Sequence, residues 1–187
     1  MDADNYMTYE EFGRKFFEVA VTEDRVGGAI GAIAGSAFEM GPMGQGPGKI
    51  AKVSAKVRIL DPRVTRQLGE TITFAVRIPL EIDMVVDLRI DKPKFMVFGE
   101  IALRATARAA EPLLLVLDFE KPRPSDISIH VTSKSLRGEV LRIVAGVDAE
   151  IRRFIAAHVA GEIDSPASTK AKIIDVADRL DAAWTGV

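Results

Sequence analysis

The sequence predicts an α+β fold: a long, curved antiparallel sheet of about five strands, with N-terminal helices and a long C-terminal helix packed on its apolar face. Apolar and polar residues alternate over 51–59 and over most of 72–90, which is the period of a strand with one buried face. The segments between the predicted strands are too short for crossover helices, so neighbouring strands are expected to be antiparallel. From residue 134 the apolar spacing becomes helical, and these helices can cover the sheet.

The N-terminal region, residues 8–35, is expected to be helical. Thr8 and Glu11 have the spacing of a capping box, in which each side chain bonds the backbone N–H of the other residue. Phe12 and Phe16 follow at helical spacing. The next segment, 41–48, contains four Gly and two Pro, a density that favours a flexible connection or lid over a regular element.

An antiparallel meander is predicted over 49–133. Its strands are expected at 51–59, 72–90, 95–107, 113–119 and 127–131. As one strand, 72–90 would be about 60 Å long, whereas most strands in globular proteins have at most about 10 residues. We therefore expect either a bend near Pro79 or an unusually long and curved sheet.

Two helices are predicted after the sheet, a long one over 134–163 and a terminal one over 168–185. Ser165 and Pro166 separate them, and Ser168 or Thr169 is expected to cap the second. The terminal helix should carry Trp184 on its apolar side. The length of 187 residues fits a single domain over 1–187.

Composition excludes several classes of function. The net charge is -2 and the pI near 5.8, so no whole-chain basic surface for nucleic acid is present. The chain has no Cys and only two His, which excludes thiolate zinc sites and cysteine nucleophiles; neither a metal nor a cofactor is expected. The N-terminal segment is acidic and polar, unlike a secretory signal, and predicts a cytoplasmic protein.

No combination of residues indicates catalysis. By alternation His130 belongs to the polar face of its strand, and His158 lies at the edge of the long helix's apolar side. Carboxylates such as Asp118 point outward, whereas an acid–base catalyst needs a desolvated pocket. An enzyme would require an ionisable group inside a cavity, and Glu39, Glu100 and Asp118 are the positions to check.

The apolar face of the sheet is the remaining candidate site, since a space between it and the long helix would suit a hydrophobic ligand. The predicted ligand-binding residues are Phe74, Val76, Ile78, Leu80, Ile82, Met84, Phe95, Val97, Ile101, Leu115, Val144, Ile151 and Phe154. Met96 and Phe98, with Leu114 and Val116, are expected to form an apolar strip on the opposite face, which suggests a partner, a homodimer or a further helix layer.

The order of helix, long meander and long amphipathic helix resembles a tubular lipid-binding (TULIP-type) domain. The alternation over 72–90, the strands 95–107 and 113–119, and the helical residues 133–163 carry this resemblance. It implies a lipid or other hydrophobic small molecule held between sheet and helices, without catalysis, and transient contact with membranes.

Three alternatives stay open at the level of sequence. A helix-grip (START-like) domain also wraps a sheet around a long helix and an apolar cavity, and a sterol-carrier-like fold is a further lipid-binding option. An interaction or scaffold protein would instead have a closed core and would bind a partner protein or a second copy. A cavity above about 300 Å³ between the sheet and the long helix favours ligand binding, and a closed core there favours the scaffold.

Overall fold

The computed structural model describes residues 6–31, 36–45, 47–49, 51–131 and 138–184. It confirms the α+β class, with a curled antiparallel sheet and helices. The helices are α1 (Tyr9–Ala20), α2 (Glu23–Ile30), α3 (Gly138–Ile163), α4 (Pro166–Lys172) and α5 (Val176–Trp184). The strands are β1 (Ala37–Gln45), β2 (Ala51–Ile59), β3 (Arg63–Gln67), β4 (Thr73–Asp87), β5 (Lys94–Ala110), β6 (Leu114–Phe119), β7 (Ile127–His130) and β8 (Ile173–Asp175).

The strands of the described residues form one sheet in the order β1-β2-β4-β5-β6-β8. Two pairs of short strands each share one long neighbour. β2 and β3 lie end to end along β4, and β6 and β7 lie end to end along β5. The sheet is therefore built around the two long strands β4 and β5.

β4 is one continuous strand of 15 residues, so the sheet is long and curved and no bend interrupts it at Pro79. A proline has no N–H for a strand ladder and is tolerated mainly at edges and irregularities. Here the carbonyl of Pro79 accepts from the N–H of Leu60 at 3.0 Å. Its missing N–H thus faces the break between β2 and β3, where no regular pairing is lost.

The sheet has more strands than predicted. The predicted strands are all present, and β1, β3 and β8 are added to them. The predicted lid over 41–48 is wrong for 41–45, which belong to β1 and pair with β2 through a bulge between Met40 and Met43. Gly41, at φ +98°, makes this possible because glycine alone enters that region without strain.

The C-terminal prediction also needs correction. α3 ends at Ile163 as expected, while residues 134–137 lie outside the described part of the chain. The next helix begins earlier than predicted, because the side chain of Ser165, not Ser168 or Thr169, caps it. The predicted helix 168–185 is interrupted by β8, which pairs with β6.

The N-terminal helices form at 9–20 and 23–30, and the capping box is confirmed. Glu11 N–H donates to Thr8 Oγ1 at 3.2 Å, and Thr8 N–H donates to Glu11 Oε2 at 2.9 Å. α1 has no buried residue, whereas α2 buries its apolar side against the core. Arg66 ties the two helices to β3: its guanidinium donates to the carbonyls of Glu18 and Val21 at the end of α1, at 2.7 and 3.0 Å, and its backbone N–H donates to Glu23 Oε1 of α2 at 2.7 Å.

α3 lies against the concave face of the sheet and contacts β1 at one edge and β7 at the other. Its buried residues are Val144, Val147, Ile151, Ile155, Ala156, Val159 and Ile163. They form one core cluster with the inward residues of β2, β4, β5 and β6. The apolar face of the sheet is thus covered by the long helix.

Candidate functional site

The predicted ligand-binding residues lie mostly inside this core. Those of the sheet and helix that are buried are Phe74, Val76, Ile78, Leu80, Ile82, Met84, Val97, Ile101, Leu115, Val144 and Ile151. Phe95 is half-buried and packs against them. The placement of Phe154 on the buried side is wrong: its side chain is 48% exposed, because it lies on the solvent side of α3.

The concave face is closed where it is described. From Phe74 to Met84, the inward residues of β4 have at most 1% of their surface accessible. A side chain that lined a cavity large enough for water would have accessible surface inside that cavity. These residues are therefore packed as a core, and a ligand among them would have to displace α3 or neighbouring side chains.

An open cleft of about 680 Å³ lies at one end of the sheet, between α1 and the turn that joins β3 to β4. Its apolar lining comes from Phe17 of α1, Leu68 of the turn, Ile72 just before β4 and Ala107 of β5. The N–H of Ala107 donates to the carbonyl of Ile72 at 2.9 Å, so the two strands form a continuous floor. The polar part of the lining is Glu10, Gly13, Arg14, Glu18, Gly69, Glu70 and Thr71.

Gly13 gives the cleft its width on the helix side. A Cβ built at this position would have no atom within 4 Å, so the absent side chain leaves open space above the floor. Glycine in the interior of a helix costs up to about 1 kcal/mol relative to alanine. The core does not require glycine at this position.

The wall formed by α1 is weakly anchored. Only its inward side, with Phe16 and Phe17, packs against the core, and both rings are half-buried. The ion pair between Arg14 and Glu10, at 3.9 Å, joins two largely exposed side chains and contributes little. Segments with few buried contacts open at low free energy, so the first turns of α1 are less firmly held than its C-terminal end, which Arg66 bonds at Glu18 and Val21.

Of the charged residues that line the cleft, Glu10, Arg14 and Glu70 are exposed, whereas Glu18 is half-buried. The side chain of Glu10 is 89% exposed, and Glu18 contributes its backbone carbonyl to Arg66. A carboxylate in water lacks the desolvation that tunes an acid–base catalyst. The cleft therefore combines a buried apolar floor with charged side chains near solvent.

The carboxylates proposed for an enzyme lie on the outer face of the sheet in ion pairs. Glu39 pairs with Lys56 at 3.6 Å, Glu100 with Arg77 at 3.1 Å and Asp118 with Arg108 at 3.0 Å. None of the three lines the cleft beneath α1. Their outward position follows the alternation seen in the sequence.

The two histidines lie in different elements and make different contacts. His130 is exposed at the end of β7, opposite Phe98 of β5. His158 of α3 stacks on Phe38 of β1, with ring centroids 3.9 Å apart, and helps to hold the helix against the edge strand. Within the described residues, no group of three or more metal-ligating side chains comes together.

The predicted apolar strip on the outer face is two separate patches. Met96 and Phe98 of β5 lie opposite Asp83 and Glu81 of β4. Leu114 and Val116 of β6 lie opposite Ala110 and Arg108, near the other end of β5. About 12 residues of β5 separate the two patches, which is about 40 Å of strand. The sequence pattern identified the face correctly but could not supply the register.

The cleft residues were not among those predicted to bind a ligand. Phe17, Ile72 and Ala107 have the spacing of ordinary core residues. Only Leu68, an apolar residue beside Gly69 in a turn, could have indicated the cleft from sequence.

The chain matches no protein-family model, and no curated protein matches its sequence. No helix in the described part of the chain combines the length and apolar character needed to cross a bilayer.

Proposed function

We propose that this protein binds a lipid-like or other hydrophobic small molecule in the cleft between α1 and the β3–β4 turn, without catalysing a reaction. The cleft itself carries the proposal: it is an open space with an apolar floor, beside a sheet whose concave face is packed shut. The proposed site lies at α1, whereas the predicted space between the sheet and α3 is packed shut, which by itself favours the scaffold alternative.

The size of the cleft supports this proposal. Its volume of about 680 Å³ falls within the range of about 300–1,000 Å³ that is usual for small-molecule sites. Leu68 lies on the open side and is 59% exposed, so an alkyl chain would remove it from water, whereas Ile72 at the floor is already buried. Each Å² of apolar surface that the ligand removes from water contributes roughly 25 cal/mol to the free energy of binding.

The position of the cleft explains how a ligand would enter. One wall is α1, which buries none of its residues, and the other is a turn. Neither has to unfold for a ligand to pass. The TULIP-type resemblance agrees with an apolar ligand beside a helix and stays a prediction.

The first test replaces Leu68 with Asp and uses Leu60→Asp as the matched control. Both leucines lie outside the strands, with exposures of 59% and 37%, but only Leu68 lines the cleft. We expect Leu68→Asp to weaken binding of the neutral fluorescent probe N-phenyl-1-naphthylamine by about tenfold or more, because a carboxylate replaces the apolar side chain on the open side of the cleft. Leu60→Asp should retain the wild-type affinity.

Fluorescence titration measures both variants, with dodecanol as a competing ligand. Circular dichroism shows whether each variant is folded. Absence of saturable probe binding to the wild type, or unchanged affinity in folded Leu68→Asp, would remove the cleft as the site.

A second candidate function is association with another protein or a second copy. Both α1 and α5 carry large exposed apolar side chains, notably Tyr9 and Phe12 of α1 and Leu180 and Trp184 of α5. The N–H of Val176, at the start of α5, donates to the carbonyl of Leu113 at 3.0 Å, which holds α5 beside the β5–β6 turn. Exposed aromatic side chains are enriched at interaction surfaces.

Sedimentation velocity tests this second function. Association would give a dimer whose dissociation constant rises in a Trp184→Ser variant, because the aromatic contact area is lost. A monomer at all accessible concentrations would exclude the homodimer.

A further inference from the structure

A second cleft lies at the outer side of the sheet, where the pairing of β5 is interrupted. β5 pairs with β7 through residues 98–101 and with β6 through residues 105–110. Between these, the chain from 120 to 126 leaves the edge of the sheet. The resulting cleft has a volume of about 520 Å³.

The lining of this cleft is predominantly basic. It includes Arg77, Arg104, Lys121 and Arg123, against the two acidic residues Glu120 and Asp126. The remaining lining is Ala75, Ala102, Leu103 and Pro122. The chain as a whole has a net charge of -2, so this concentration of cations is a local feature.

The register of β4 and β5 explains how the two sheet arginines frame the cleft. Ala75 lies opposite Arg104, and Arg77 lies opposite Ala102. The arginines therefore occupy one diagonal of a square and the alanines the other. Diagonal neighbours of this kind are about 7–8 Å apart at Cα, so two long guanidinium side chains stand around a floor of methyl groups.

Three of the four basic residues already have acidic partners. Arg77 pairs with Glu100 at 3.1 Å, Lys121 with Asp164 at 2.6 Å and Arg123 with Asp126 at 3.4 Å. Asp126 is further occupied inside its own turn, where it accepts from the backbone N–H of Arg123 at 2.8 Å. The Asp126 carboxylate therefore interacts mainly with Arg123 within its own turn.

Arg104 is different, because its side chain has no ion pair or hydrogen bond with the described residues. Its backbone carbonyl accepts from the N–H of Glu120 at 2.9 Å, which fixes its place at the inner end of the loop. A guanidinium held at the mouth of a basic cleft offers paired donors to an oxyanion.

We propose that this cleft binds a soluble small molecule that carries a phosphate or diphosphate group, with Arg104 as the principal contact and Arg77 and Arg123 beside it. The alanine floor leaves space for the anion between the guanidinium groups. The lining exposes no large apolar side chain, so it offers no membrane anchor, and a soluble anion suits it better than a lipid headgroup. This site is independent of the hydrophobic ligand, because the α1 cleft opens on the inward-facing residues Ile72 and Ala107.

Isothermal titration calorimetry with inorganic pyrophosphate tests the proposal. We expect saturable binding to the wild type, and a loss of about tenfold or more in Arg104→Gln, because a charge-assisted contact is removed. Ala102→Glu should abolish binding by placing a carboxylate on the floor of the cleft. Arg142→Gln is the matched control, since Arg142 is exposed on α3 and outside the cleft.

Several results would overturn the proposal. These are no saturable binding of pyrophosphate to the wild type, unchanged affinity in folded Arg104→Gln, or an equal loss in Arg142→Gln, which would show unspecific ionic association only. Binding to phosphatidylcholine vesicles that contain phosphatidic acid, without binding of pyrophosphate, would replace the soluble anion by a lipid headgroup.

Discussion

Gly41 shows how one residue decides the path of an edge strand. It has φ +98°, and a Cβ at this position would lie 2.5 Å from the carbonyl oxygen of Val53. Both the backbone conformation and the close approach to β2 therefore require glycine. The sequence offered only a Gly/Pro-rich segment, which is why a loop was predicted where a bulged strand exists.

Replacing Gly41 by Ala should lower the free energy of unfolding by about 2–3 kcal/mol. An alanine at this positive φ has a strained backbone, and its methyl group would clash with the carbonyl oxygen of Val53. The matched control is Gly13→Ala, where a Cβ meets open space and improves helix propensity. It should raise the free energy of unfolding by about 0.5–1 kcal/mol. Urea denaturation measures both, and equal effects of the two substitutions would contradict the bulged strand.

Glu11 links the N-terminal cap of α1 to pH. The backbone N–H of Thr8, and then its hydroxyl group, lower the pKa of the Glu11 carboxyl below its usual value. A lowered pKa in the folded state means that the stabilising contribution is present above the usual carboxyl pKa and is lost as the pH falls through the lowered one.

The first turn of α1 should therefore fray on acidification through the lowered pKa of Glu11. Glu11→Gln should remove this dependence, because glutamine keeps the hydrogen bond of a capping box but does not titrate. Glu10→Gln, which leaves the box intact, serves as the control. NMR amide shifts of α1 against pH measure the effect, and identical titration curves in the Glu11→Gln variant and the wild type would exclude the role of Glu11.

α3 is the element whose orientation decides whether the core is closed. Ile151 is buried and Phe154, three residues later, is 48% exposed. Ile151→Ala should cost about 2–5 kcal/mol, because it opens a cavity in the core. Phe154→Ala should cost about 1 kcal/mol or less. Chemical denaturation distinguishes the two, and a larger cost at Phe154 would show that the helix presents its other side to the sheet.

At the scale of elements, the sequence predicted those with strong periodicity. The alternation over 51–59 and 72–90 and the capping box at Thr8 correspond closely to β2, β4 and the start of α1. The elements that were missed are short or lack periodicity. β8 has three residues and exists because β6 offers it an unpaired edge, which no local pattern reveals.

For the whole molecule, the fold class could be predicted but the site could not. Strand alternation tells which residues point inward, so Phe74 and Met84 were placed on the apolar face, where the structure buries them. It does not tell whether a helix fills the space above them. The cleft residues Phe17 and Leu68 meet only through tertiary packing, and the register that separates Met96 from Val116 is also invisible in the sequence.

The central proposal is that the hydrophobic ligand lies beneath α1 and not beneath α3. Gly13→Leu tests this most directly, since Gly13 lines the cleft and a Cβ at this position meets open space. Gly161→Leu in α3 is the matched control, because a Cβ there also has no atom within 4 Å. Both substitutions improve helix propensity, so neither should unfold the protein.

The deciding measurement is the affinity of the wild type and these two variants for N-phenyl-1-naphthylamine, determined by fluorescence titration. We expect Gly13→Leu to weaken binding by about tenfold or more, which corresponds to about 1.4 kcal/mol, and Gly161→Leu to bind as tightly as the wild type. Undiminished binding in folded Gly13→Leu, or a comparable loss in Gly161→Leu, would contradict a ligand site in the α1 cleft.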